Sequence, residues 1–311
     1  MSRLGIITPH YNNFEGLKKL HLNLLEQTDK DWEWVIIDDF SSEIVRRDVR
    51  NYFEANKNIS ILMNNFKSNA ATCRNMGVDV LNSKKMVFLD SDDIISKYFV
   101  ANRSVDIIDF TVFLNCAVIS KNSQEQKAFS NIKHNFLNQF LKAKFAWQTT
   151  CILWEKSFFI KIGKFNEQLK LLEDIEVSIR ALLISSKNTI KLNNEVDFYY
   201  LVEPINIKKR TVKKVSQSVE RLLYLILKNH NITNLQRTYL SSYYFLLVKY
   251  FCRSSNRANL FYLKKTLNLV KSYKIIGFNE YVLGFMVICL FRYKIISFQL
   301  LLKINRKLFK K

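Results

Sequence analysis

Met86-Val87-Phe88-Leu89-Asp90-Ser91-Asp92-Asp93 is a short apolar run that stops abruptly on acids. Four consecutive apolar residues read as a strand buried on both faces, the kind that parallel sheets contain. The same design recurs upstream. Leu4-Gly5-Ile6-Ile7 ends in Thr8, Pro9 and the polar turn His10-Tyr11-Asn12-Asn13, and Trp34-Val35-Ile36-Ile37 runs into Asp38-Asp39. Ile59-Ser60-Ile61-Leu62 is a further short run. Between these strands, residues 14–26, 43–55 and 69–82 read as helices, the first with leucines at helical spacing. Strands alternating with helices predict an α/β fold with a doubly wound, mostly parallel sheet. Beyond residue 100 the pattern is mixed: strands over 107–116, 149–154 and 196–202, an amphipathic helix over 173–185, and a polar, mobile stretch over 120–127.

In open α/β sheets, ligands bind at the carboxyl ends of the strands. Three of the four runs end there in polar groups: Thr8 to Asn12, Asp38-Asp39, and Asp90 to Asp93. No GxGxxG or GxxxxGK[ST] loop follows any strand, which argues against a standard dinucleotide fold or P-loop. An Asp-x-Asp at a strand end offers hard oxygen ligands suited to magnesium or manganese.

The chain has 311 residues and a net charge of +21, distributed unevenly. Residues 206–311 hold 22 Lys and Arg against two acids, Glu220 and Glu280, whereas residues 1–205 hold 26 basic and 25 acidic residues. The chain is therefore expected to comprise a nearly neutral domain over 1–205, which holds the strand-end acids, and a basic helical region over 206–311. Five scattered cysteines without a CxxC pair fit reduced thiols in a cytosolic protein. The four histidines have no metal-ligand spacing. The first nine residues lack signal-peptide features, and no run of 18 apolar residues occurs, so the protein is expected to be neither secreted nor membrane-spanning.

Five blocks, in order and in register over about the first 100 residues, resemble the opening of the family 2 inverting glycosyltransferases. They are Ile6 to Asn12; Leu25-Glu26-Gln27-Thr28 with Asp31-Trp32-Glu33-Trp34; Val35 to Ser42; Ala71-Thr72-Cys73-Arg74-Asn75-Met76-Gly77; and Phe88 to Asp93. The resemblance implies a GT-A fold with a mixed sheet and assigns roles by position. Thr8 and Tyr11 line the nucleotide pocket, with the Tyr11 ring on the base. Asp39 accepts a hydrogen bond from the base, favouring uracil, and Arg74 approaches the diphosphate. Asp92 binds a divalent metal, manganese or magnesium. Asp90 lies near the ribose or a metal-bound water, and Asp93 is open between the site and a helix cap. The later block Ile162 to Glu167, then Leu172-Glu173-Asp174 and Arg180, resembles the family's acidic motif. It implies Asp174 as general base, with Glu173 the other candidate. Trp147 is open between an acceptor wall and the core. Three positions depart from the family: His10 where a small residue is usual, Phe40 where glycine is common, and Lys67-Ser68-Asn69 without glycine.

The resemblance implies an inverting, UDP-sugar-dependent hexosyltransferase that forms a β-linkage, with glucose as the first candidate. The basic region reads as helices over 219–227, 239–252, 260–270 and 281–302. Alternating apolar and basic faces suit peripheral binding to an anionic membrane, at the inner face of the cell membrane. The acceptor expected there is a lipid-linked saccharide, such as an undecaprenyl diphosphate-linked sugar, for O-antigen, capsule or lipooligosaccharide. A helical domain with a solvated basic face is the bland alternative. A nucleic-acid-binding or scaffold protein without transferase activity is another; no nucleic-acid motif supports it, and in it Asp39 and Asp92 would be dispensable.

Overall fold

A computed structural model of the protein describes residues 3–114, 116–120, 135–191, 196–202 and 211–311. Residues 121–127 of the polar stretch lie outside them. The chain divides into two compact units. The first takes 1–133, 147–167 and 184–203, and the second takes 134–146, 168–183 and 204–311. The main boundary falls beside residue 205, but two earlier helical segments also lie in the second unit.

The first unit opens with β1 (Leu4–His10), α1 (Phe14–Leu25), β2 (Trp32–Asp38), α2 (Glu43–Phe53), β3 (Ile59–Met63), α3 (Ala70–Val80) and β4 (Lys85–Phe88). It continues with β5 (Ile94–Ile95), α4 (Phe99–Arg103), β6 (Phe110–Phe113), β7 (Cys116–Ser120) and, after α5 (Phe136–Leu141) of the second unit, β8 (Ile152–Glu155) and α6 (Lys156–Lys161). After α7 (Glu173–Ile184) come β9 (Asn188–Lys191) and β10 (Phe198–Val202). The main sheet runs β3-β2-β1-β4-β8-β6-β9, and β5-β10-β7 form a second, small sheet. β3, β2, β1 and β4 are mutually parallel, and β8 runs antiparallel to both β4 and β6. The sheet is therefore mixed, as the resemblance implies.

Side-chain alternation along β1 places the helices on both faces. On the face of Thr8, the Trp34 indole N–H donates to the Thr8 hydroxyl at 2.8 Å, and His21 of α1 and Phe53 of α2 pack around Trp34. On the opposite face Gly77 of α3 sits against Ile7, too close to leave room for a Cβ. Phe88, which pairs with Ile7 in the sheet, packs on Phe159 and Phe165.

The sequence-predicted strand over 107–116 is broken into β6 and β7, and the strand over 149–154 begins with a 3₁₀ turn before β8. A buried ion pair fixes this part of the unit. Arg103 Nη1 donates to the Asp197 carboxylate at 2.7 Å, and both side chains are buried. The guanidinium also lies 3.4 Å from the Phe99 ring centroid.

The second unit is helical: α5, α7, α8 (Val212–Asn229), α9 (Asn234–Tyr239), α10 (Ser241–Ser254), α11 (Leu260–Ser272), α12 (Phe278–Arg292) and α13 (Phe298–Phe309). The helix expected over 281–302 is two helices. Lys294 adopts a left-handed φ of 61°, and the Ser297 side chain caps the second helix by accepting the Leu300 N–H. No glycine or proline marks the break. Both acids of the basic region are used internally: Glu220 accepts from Ser216, Thr266 and Lys265, and Glu280 from the Gly277 N–H and Lys311. Among the described residues, no helix is long and apolar enough to cross a membrane.

Candidate active site

The site arises where β1 and β4 part. β1 pairs with β2 along its full length but with β4 only from Leu4 to Ile7. Pro9, which has no N–H to give, therefore lies past the end of β4, where that side of the ladder needs no donor. Chain order in the sheet also reverses at β1, with β2 and β3 on one side and β4 on the other. Such switch points open a crevice at the strands' carboxyl ends. Here the crevice is a cleft of about 280 Å³ lined by Tyr11, Asp39, Lys67, Arg74, Asp90 and Asp92, with Pro9, His10, Ala70, Cys73 and Ser91 between them.

The fold thus gathers five sequence-predicted residues, from three strand ends and helix α3, into one cleft. Thr8 is not among them. It is fully buried and its hydroxyl accepts the Trp34 indole, so its side chain supports the floor instead of lining the pocket. Trp147 is buried as well. Glu173 and Asp174 open α7 in the second unit, where carboxylates face the positive end of a helix dipole.

Asp39 is held firmly. Its Oδ1 accepts the Ser68 N–H at 2.7 Å, the Ser68 hydroxyl at 2.6 Å and the Asn64 amide at 3.3 Å. Its Oδ2 pairs with Lys67 Nζ at 2.7 Å. Burial works to raise this carboxyl, but the hydrogen bonds from Lys67, Ser68 and Asn64 outweigh it and hold it below the ordinary value. The Lys67 ammonium also sits 3.3 Å from the centroid of the exposed Tyr11 ring. Lys67 therefore touches both groups expected to receive a base.

Arg74 Nη2 donates to Asp90 Oδ1 at 2.7 Å. Its neighbour Asn75 fixes the helix behind it by exchanging hydrogen bonds with the Phe165 backbone and donating to Glu167 Oε1 at 2.8 Å. Asp93 points away from the cleft. It accepts the Asp90 N–H at 2.8 Å and the Thr150 hydroxyl at 2.9 Å, closing the turn that presents Asp90 and Asp92. Burial above all, then the charge on Asp90, pushes its carboxyl well above the ordinary range. Its role is structural, as a clamp on the turn.

Sequence reasoning missed the residues that lace the loops together. His10 Nε2 accepts the Asn13 N–H at 3.0 Å, which assigns the proton to Nδ1 and directs it to Asp38 Oδ1 at 2.9 Å. Asp38 Oδ2 accepts the Ser41 N–H, Asn12 bonds Ser41 and Ser42, and Asn13 Nδ2 donates to Ser91 Oγ at 2.9 Å. The unusual His10 is thus matched by its Asp38 partner. Phe40, at the common glycine position, keeps the left-handed conformation with φ 64°. The one available signal was the density of Asn, Ser and Asp in these turns.

Gly16, in the first turns of α1, lies directly against the Ser91 carbonyl. Gly16→Ala is expected to push the Asp90–Asp92 turn outward. A displacement of this kind costs about 100-fold in turnover, measurable beside an unchanged circular-dichroism spectrum.

Residues 5–167 match the profile described as glycosyl transferase family 2, just over half of the chain. The chain belongs to this family. A UDP-Glc:alpha-D-GlcNAc-diphosphoundecaprenol beta-1,3-glucosyltransferase, WfgD of Escherichia coli, is 32% identical over 100 residues, covering 32% of this chain and 37% of that protein. A GalNAc(5)-diNAcBac-PP-undecaprenol beta-1,3-glucosyltransferase of Campylobacter jejuni is 27% identical over 176 residues, or 54% of this chain and 56% of its own length. The chain spans 36% of a third relative, the putative teichuronic acid biosynthesis glycosyltransferase TuaG of Bacillus subtilis, at 30% identity over 29% of its own residues. It thus covers less than two thirds of each of these relatives. Among solved structures, S. aureus TarS 1-349 in complex with UDP-GlcNAc superposes with a TM-score of 0.67 at 15% identity, covering 87% of this chain and 81% of TarS 1-349. A mannosyltransferase from Pyrobaculum calidifontis, in complex with GDP-Man and Mn2+, gives a TM-score of 0.54 at 12% identity over 88% of this chain and 82% of that one. These two likenesses place the family 2 unit in the GT-A fold.

Proposed function

We propose that the chain is an inverting glycosyltransferase that moves a hexose from a UDP-sugar to a lipid-linked saccharide acceptor, forming a β-linkage. The setting is bacterial O-antigen, capsule or lipooligosaccharide synthesis, and glucose is the first donor to test. The observation that carries this reading is the convergence of Tyr11, Asp39, Arg74, Asp90 and Asp92 in one cleft at the switch point. The undecaprenol-linked glucosyltransferases among the relatives support the acceptor class and the donor, and TarS with UDP-GlcNAc supports the uridine nucleotide.

Tyr11 offers a ring face for the base and Asp39 an acceptor for its imide N–H. Arg74 brings a cation towards the diphosphate. The donor set fits a divalent ion, manganese or magnesium: Asp92 and Asp90 present carboxylates to the same cleft while Asp93 is turned away. Among the described residues no cluster of three or more His, Cys, Asp or Glu could hold a metal; two carboxylates would leave the rest of an ion's coordination to substrate phosphates. When bound, such an ion offsets the charge gathering on the leaving diphosphate. Asp174, with Glu173 as the alternative, takes the proton from the acceptor hydroxyl as its oxygen attacks the anomeric carbon. The bond from that carbon to the diphosphate oxygen breaks on the opposite face, UDP departs, and an α-linked donor yields a β-linked product.

The same reading places the protein peripherally at the inner face of the cell membrane, where a lipid-linked acceptor is met. The 22 Lys and Arg set against two acids in residues 206–311 support attraction to anionic lipid. A donor screen with manganese and a membrane-lipid acceptor extract, read by product mass, tests the function. Transfer from one UDP-sugar above the rest is the expected result, and no transfer or hydrolysis with any of them would overturn it.

Lys67 supplies a sharper check. A base that stacks on Tyr11 and bonds Asp39 has to displace the ammonium from both. Lys67→Met removes a cation–π contact and a partly exposed ion pair, and it is expected to tighten UDP binding about 3- to 10-fold by calorimetry. Weaker binding would instead make Lys67 a direct partner of the nucleotide.

A further inference from the structure

α12 is apolar around its whole circumference. Between Asn279 and Phe291 its one charged residue is Glu280, which is engaged by the Gly277 N–H and Lys311. Gly284, Val287, Ile288 and Phe291 face inward and are buried. The opposite side carries Phe278, Val282, Met286 and Cys289, followed by Tyr293 just past the helix end, at spacings that keep them on one stripe. Helices apolar on every side are ordinarily enclosed. Here Phe278, Met286 and Tyr293 are 68%, 54% and 72% exposed.

Cations flank this stripe. On α11, Lys264 and Lys271 are two turns apart. Lys264 Nζ lies 5.3 Å from the Phe285 ring centroid and Lys271 Nζ 5.5 Å from that of Phe278. Towards the end of α12, Arg257, Lys264 and Arg292 rim a cleft of about 480 Å³ whose walls include Phe261, Phe285 and Phe291. Arg257 is seated there by donating to the Phe291 carbonyl at 2.6 Å. An apolar slot with three cations at its rim matches a phospholipid, whose acyl chains lie beside a headgroup phosphate.

We propose that the α11–α12 face is an anionic-phospholipid surface. The Phe278–Tyr293 stripe enters the boundary between headgroups and acyl chains, and Arg257, Lys264 and Arg292 hold a lipid phosphate at the mouth of the cleft. This deepens the reading that the protein works at a membrane and rests on it. A second copy of the chain would set the same cations against one another across a two-fold axis. Nucleic acid would leave the exposed Phe278, Met286 and Tyr293 in water.

The test uses the full chain and vesicles of phosphatidylglycerol in phosphatidylcholine, compared with phosphatidylcholine alone, read by co-sedimentation. Wild type is expected to bind the anionic vesicles and to release them as salt rises. Lys264→Gln with Lys271→Gln should weaken that binding about 30-fold, from about 1 kcal/mol for each cation. Met286→Asp should weaken it about tenfold or more by setting a charge into the apolar layer. UDP-sugar hydrolysis is expected to be unchanged in both, since neither touches the donor cleft. Wild type that ignores anionic vesicles, or variants that bind as wild type does, would overturn the proposal. So would a concentration-dependent dimer that Met286→Asp dissociates, because it would assign the stripe to a second copy. Variants that bind as wild type does would remove this face alone, whereas wild type that ignores anionic vesicles would remove the membrane reading with it; sugar transfer is read separately.

Discussion

Asp92→Asn is expected to lower sugar transfer by about 10²- to 10³-fold while leaving the melting temperature where it is. The first half follows from charge. Amide oxygen is a poorer ligand for a hard divalent ion than carboxylate, and losing one group that stabilises developing charge at a reacting centre costs about that factor. The second half follows from position, since Asp92 is an exposed side chain in the turn after β4. Substitutions at such sites change stability by about 0.5 kcal/mol or less. Titration of UDP with and without manganese gives an independent readout: the variant should lose the metal-dependent part of its affinity. Asp93→Leu makes the contrast. It leaves the Asp90 N–H and the Thr150 hydroxyl without their shared acceptor, so its damage should appear first in stability. Full activity in Asp92→Asn would remove Asp92 from the site.

The largest stability effect is expected at Asp197. Asp197→Ala strands the Arg103 guanidinium in the core, where Phe99 and Phe113 lie against it and the Asp197 carboxylate is its partner at 2.7 Å. Removing one member of a buried pair typically costs about 3–5 kcal/mol, mostly the cost of the orphaned charge. Urea denaturation should show that loss in the midpoint. Arg103→Met combined with Asp197→Leu removes both charges and should recover most of it, because well-packed apolar replacements of such pairs are often neutral. A double variant as unstable as the single one would mean that packing, not charge, holds these two elements together.

Much of the donor half was legible because its signals are local. The runs at Ile6-Ile7, Val35-Ile36-Ile37 and Val87-Phe88-Leu89 are continuous and apolar, and each stops on polar residues, so strands and strand ends are both marked. The fate of Thr8 was not legible. Its neighbours in sequence say nothing of Trp34, whose indole reaches it across the sheet. The antiparallel course of β8 was hidden for the same reason, since strand direction depends on pairing and not on composition. The break between α12 and α13 has no glycine or proline; Lys294 takes the left-handed turn there. The grouping of α5 and α7 with the later helices is a property of packing, and the charge contrast that marked residue 205 could not report it.

The lacing of His10, Asn13, Asp38 and Ser41 also bears on how this edge can change over generations. His10 spends one ring nitrogen on the loop that follows β1 and the other on the end of β2. A small residue at position 10 would leave the Asp38 carboxylate to the Ser41 N–H and Arg46, and an apolar residue at 38 would leave the His10 Nδ1–H without its acceptor. Positions 10 and 38 are therefore coupled in this chain: double-mutant cycles between His10 and Asp38 should be non-additive. A small residue at position 10 is expected to loosen the tie between the loop after β1 and the end of β2, leaving the Ser41 N–H and Arg46 to hold Asp38.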